Sequence, residues 1–142
     1  MAEIMKLTVD TGAITIELVD KKGNEIGTFD FNPSDSNILA RYKNVVNYFS
    51  SISERIGEAG KAGAEDVTRV SGEIAEQIDY LLGYKVSEHI FGRIGALTVT
   101  GNGDFFFERV LDEIAGVIEK VTNQRVEKKL ERIRKATAKY SK

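Results

Sequence analysis

The chain has no cysteine, a single proline and a single histidine in 142 residues. Without cysteine there are no disulfides, no thiol nucleophile and no thiolate metal site. One histidine leaves imidazole chemistry to a single position, His89. With only Pro33 to interrupt them, long helices can run unbroken. A net charge of −2 lacks the strong basic excess of a general nucleic-acid binder. No apolar run approaches the roughly 20 residues that a membrane span needs. The first residues lack a charged stretch followed by a long apolar one, so no signal peptide is expected. Nucleic acid and membrane are therefore not expected as partners. Nor is a cofactor or metal, since no ligand spacing such as HExxH or an Asp-rich calcium loop occurs.

What is present is ordinary for one domain with a core: 42% hydrophobic and 30% charged residues. Residues 4–9 and 13–19 alternate apolar and polar side chains, the period of half-buried strands. Thr11-Gly12 and Asp20 to Asn24 separate them from each other and from a third strand, Ile26 to Phe31. An antiparallel hairpin or meander over residues 1–31 is expected.

Asn32-Pro33-Ser34-Asp35-Ser36 then breaks the strand pattern and offers helix-capping oxygens. Ile38, Leu39, Tyr42, Val45, Val46, Phe49, Ile52 and Ile56 follow at helical spacing, and the helix is expected to end near Gly57–Gly60. A glycine-rich loop to Gly63 precedes a second stripe of Val67, Val70, Ile74, Ile78, Leu81 and Leu82. Its acids, including Asp79, read as solvated or, near the N-terminus, as favourable to the helix dipole, and Gly83 reads as its stop. Ser87 to Gly92 reads as one short helix, capped by Ser87 and carrying His89. A loop with a brief extended stretch at Thr98-Val99-Thr100 leads to Asn102-Gly103-Asp104, the expected cap of the last helix.

That last helix dominates the chain. Its apolar positions run from Phe105 through Val110, Leu111, Ile114, Ile118 and Val121 to Val126, Leu130, Ile133 and Tyr140. Unbroken, about 38 residues at 1.5 Å each make a rod of roughly 57 Å. The rhythm slips between Val121 and Val126, and a bend or break is expected near Asn123-Gln124. From Gln124 onward eight basic residues face two acids, so this end carries +6 and the rest of the chain −8. The organisation expected is a single α+β domain: the meander, a mostly helical body over 36–122, and a basic helical arm over 123–142.

Chemistry is poorly represented. His89 lacks a nucleophile and an orienting acid on its own face, since Ser87 and Glu88 do not point with it. The glycines at 92, 95, 101 and 103 have neither GxGxxG spacing nor the Lys-Ser/Thr of a Walker loop, and Asp104 would repel a phosphate. Consecutive Phe105, Phe106 and Phe107 spread over about 200° of a helix. They read either as a helix start buried on several sides or as an aromatic contact patch. The basic end reads as a solvated helix terminus, a phosphate binder, or a dock for an acidic helix, including the second helix of another copy. The candidate partner-binding residues are Phe105, Phe106, Arg125, Lys128, Lys129, Arg132 and Lys135.

Three stretches together carry a family resemblance. They are Phe29-Asp-Phe-Asn-Pro-Ser-Asp-Ser-Asn-Ile-Leu-Ala-Arg-Tyr, then Ile78-Asp-Tyr-Leu-Leu-Gly-Tyr, then Ser87-Glu-His-Ile-Phe-Gly. With the Phe-rich last helix and its Lys/Arg-rich end, the chain resembles the small tail assembly chaperones of long-tailed phages and prophages of Gram-positive bacteria. The resemblance implies a non-enzymatic protein of the bacterial host's cytoplasm. It would bind the tape-measure protein, recruit tail-tube subunits and self-associate, and a longer frameshifted product often accompanies such proteins. No family binding residue carries over to a position here. Other expectations are a structural tail or head-completion subunit, or another helical protein-interaction module.

Overall fold

A computed structural model describes residues 2–52, 54–55, 58 and 63–140. The strands are β1 (Ile14–Val19) and β2 (Glu25–Phe31). The named helices are α1 (Ile38–Ser51), α2 (Ala64–Leu82), α3 (Ser87–Phe91) and α4 (Phe106–Tyr140), and the described residues 54, 55 and 58 are also helical. The fold is thus α+β, an N-terminal antiparallel hairpin followed by helices with a long last one. Where the glycine-rich loop was expected, most positions lie outside the described residues, as does Ile56.

β1 and β2 pair from Ile14 opposite Phe31 to Val19 opposite Glu25, with an irregularity at the turn end. Asp20 closes that turn by accepting the backbone N–H groups of Asn24 and Lys22. Those bonds hold its carboxyl below the usual range, the Asn24 bond first. One sheet face carries Ile14, Ile16, Leu18, Phe29 and Phe31 into the core. Gly27 shares that face, and α3 packs directly over it. A Cβ there would lie 1.7 Å from the His89 carbonyl oxygen, so no larger residue fits.

Residues 4–9 are the first correction. They form no strand and pair with nothing, and the sheet has two strands instead of three.

In α1 the buried line is Ile38, Val45 and, half-buried, Tyr42, Phe49 and Ile52. Leu39 and Val46 fall off that line. Val45 is 0% exposed and Val46 37%, so the second valine of the pair is not core. Within the expected cluster it is Asp35 that accepts the Asn37 N–H, and it pairs with Arg41 at 3.1 Å. Both contacts lower its carboxyl's pKa, the Asn37 bond more.

α2 buries Val70, Ile74, Ile78, Leu81 and Leu82, as its stripe requires. Gly83 ends it in the left-handed conformation at φ 79°, donating its N–H to the Asp79 carbonyl. Asp79 is not simply solvated. Its carboxylate accepts the N–H groups of Val86 and Ser87 and the Ser87 hydroxyl, all at 2.8–2.9 Å. The short helix is therefore capped from α2, and Ser87 is a donor to that cap.

α4 begins in a cradle built by the preceding loop. Phe106 donates its N–H to the Thr98 carbonyl at 2.7 Å and Phe107 to that of Ala96 at 3.0 Å. Glu108 reaches back to the Phe105 N–H at 3.0 Å, the reciprocal half of a capping box. These groups cap the helix in place of Asn102-Gly103-Asp104. The expected extended stretch is one bridge, Val99 to Phe105. The expected break at Asn123-Gln124 is absent, and the helix runs through it.

Candidate interaction surfaces

The three phenylalanines divide their roles. Phe107 is buried and its ring lies 5.0 Å from that of Phe49 on α1. Phe106 is buried edge-on against Phe91 of α3 at 6.0 Å. Phe105 is half-buried, stacked on Phe107 at 6.0 Å, and is the most exposed of the three at an open surface that Phe107 also lines. That surface is a groove of about 480 Å³ between α1 and the start of α4. Tyr42, Val46, Phe49 and Leu111 contribute to its floor, and Asp104, Glu108 and Asp112 place carboxylates around it. The exposure of Val46 is thereby explained: it lines the groove.

Phosphate binding at this helix start would need free backbone N–H groups. The first N–H groups of α4 already donate to Thr98, Ala96 and Phe105 carbonyls, and acidic side chains surround them.

Further along α4 the body ends at a clamp. Thr122 donates its hydroxyl to the Pro33 carbonyl at 3.1 Å. Arg125 donates Nη1 to the Gly12 carbonyl and to the Ser34 hydroxyl, each at 2.7 Å. Asn32 donates its side-chain amide to the Thr11 carbonyl. Gly12 sits at φ +87°, and a Cβ on it would lie 2.8 Å from the arginine. Among the seven candidate residues, Phe106 and Arg125 are thus spent inside the fold.

Beyond the clamp every described side chain of α4 is exposed, and it packs on no other element among the described residues. Val126, Leu130 and Ile133 are 38–49% exposed. They recur at steps of four and three residues on one stripe. At 100° per residue, this stripe lies roughly 110° around the axis from the body-facing line of Phe107, Val110, Leu111, Ile114 and Ile118. The slip in the apolar rhythm is therefore a rotation of the apolar face and not a break in the helix. Lys129 and Arg134 fall nearest the flanks of the exposed stripe, whereas Lys128 and Lys135 fall on the opposite side and Arg132 nearer to it. All are exposed, and none makes an ion pair among the described residues. The candidate list missed the apolar residues of the stripe and Arg134. The four-three spacing past Asn123 was the signal for them.

His89 is exposed on α3 and makes no side-chain hydrogen bond among the described residues. Its neighbour Ser87 is turned to Asp79. Among the described residues no three His, Asp or Glu side chains converge as a metal site would need, and no helix is long and apolar enough to cross a membrane. Comparison with protein-family models, curated proteins and solved structures gives no match.

Proposed function

We propose that this chain is a tail assembly chaperone that acts by binding, without catalysis, in the cytoplasm of a bacterial host. Its client is a long amphipathic helical protein of the tape-measure type, and recruitment of tail-tube subunits follows from holding that client. The observation that carries this reading is the second half of α4. It presents an apolar stripe of Val126, Leu130 and Ile133 beside Lys129 and Arg134, turned away from its own body. A stripe of this kind suits an amphipathic helix with acidic flanks, since apolar contact supplies adhesion and opposite charge selects the partner. The resemblance in residues 29–42, 78–84 and 87–92 narrows that partner to a tape measure.

The test is co-expression with a long amphipathic helical protein of the tape-measure type. Full-length chain is expected to hold the client in the soluble fraction and to co-purify with it. A chain ending at residue 125 is expected to fold and to lose the client. Equal client recovery with the truncated chain would refute the assignment of the surface. No interaction with the full chain would refute the chaperone reading.

A further inference from the structure

Residues 4–9 hold four large apolar side chains, Ile4, Met5, Leu7 and Val9, that are 73–86% exposed. They are more exposed than any other large apolar residue among those described. The segment makes no hydrogen bond or ion pair among the described residues. Yet its sequence alternates as a strand does, with Met5, Leu7 and Val9 on one side and Ile4, Lys6 and Thr8 on the other.

The same molecule holds a vacancy of matching kind. β1 is six residues long and pairs with β2 along one side only. No further backbone hydrogen bond reaches it among the described residues. β2 is less open. Arg93 donates to the Glu25 carbonyl, and residues of the α3 region lie beside Thr28 to Asp30. An unpaired edge is a template for another strand, and an extended segment satisfies it with main-chain bonds while alternate side chains fill the adjoining face.

The clamp decides where the segment can go. Return onto its own β1 would need a reversal through Asp10 to Ala13. Instead the Thr11 and Gly12 carbonyls are held by Asn32 and Arg125. The segment leaves its own copy from a fixed point.

We propose that residues 4–9 are a donated β-strand that pairs with the open edge of β1 in a second copy of this chain. Met5, Leu7 and Val9 extend the apolar face of Ile14, Ile16 and Leu18, and Ile4, Lys6 and Thr8 join the outer face. Each copy donates and accepts, so the exchange closes as a two-fold dimer. The pairing needs no helical client, so its failure and that of the chaperone reading are separately visible.

Light scattering of the full chain at micromolar concentration is expected to give a dimer mass. The double variant Leu7→Asp/Thr8→Pro is expected to halve that mass while the monomer keeps its helical circular dichroism and a cooperative melt, because the segment supports nothing in its own copy. The absence of native cysteine allows a second readout. Chains carrying one cysteine at position 4, 6 or 8 are mixed with chains carrying one at 15, 17 or 19, then oxidised. At least one pairing is expected to link the two chains. A monomeric wild type, a double variant that keeps the dimer mass, or linkage confined to a β2 control, Thr28→Cys, would each overturn the proposal. So would linkage within a single doubly substituted chain.

Discussion

The two halves of α4 share one unbroken backbone and differ in nearly everything else. From Phe106 to Val121 the helix turns one face to the core, burying Phe107, Val110, Leu111, Ile114 and Ile118. From Val126 onward every described side chain is exposed, and basic residues outnumber acids. The first half is held by packing, and the second has only local hydrogen bonds and propensity to sustain it. An apolar stripe at helical spacing thus does not by itself mean core. Its angular position relative to the preceding stripe tells whether the same neighbours can cover it.

Equivalent substitutions in the two halves are the strongest test of that contrast. Ile118→Asp buries an unpaired carboxylate and is expected to cost about 3–5 kcal/mol, a large share of the stability of an ordinary domain, and to lower the melting temperature sharply. Ile133→Asp is expected to shift the melt by less than about 0.5 kcal/mol while removing client binding. A thermal melt followed by circular dichroism reads both, and similar losses from the two would erase the distinction.

The junction gives an intermediate effect. Arg125→Ala removes hydrogen bonds to Gly12 and Ser34 and is expected to cost about 1–3 kcal/mol. Urea denaturation measures this, and a neutral result would move the body's boundary back to Thr122.

A smaller effect than that of Arg125 is expected beside the clamp, one residue beyond Ser34, and calibrates both halves. Bonds from Asn37 and Arg41 depress the Asp35 carboxyl in the fold. Its contribution is therefore present above the ordinary carboxylate pKa and is lost as pH falls through the lowered folded value. Asp35→Asn is expected to cost about 1 kcal/mol at neutral pH and to flatten the acid limb of stability below about pH 4. Denaturation curves of both proteins at several acidic pH values check it. An undiminished acid limb in the variant would show that other carboxylates carry it.

The sequence made the helical elements and the hairpin legible because their signals are local. Pro33, Gly83 and the apolar spacings act within a few residues. What it hid were choices that depend on distant neighbours. Residues 4–9 satisfy every local rule for a strand, yet a strand needs a partner, and among the described residues they pair with none. Val45 and Val46 are adjacent and equally apolar, and only the tertiary packing of α1, chiefly against α2, decides which is core. Asp79 looked like one acid among several until the chain around Val86 returned to it. Of the candidate residues, Lys128, Lys129, Arg132 and Lys135 could be placed on a free surface from charge alone. The consumption of Arg125 by Gly12 could not, because 113 residues separate them.

That separation also bears on the order in which the protein is made. Chains emerge from the ribosome N-terminus first. The hairpin and α1 can form while α4 is still being synthesised, but the Gly12 carbonyl waits for Arg125, 113 residues later. Contacts of such span are among the slowest to close. Until then the leading apolar segment has no fixed departure point, so a nascent chain is poorly placed to capture a neighbour on the same message. Orientation of that segment becomes a property of the finished polypeptide.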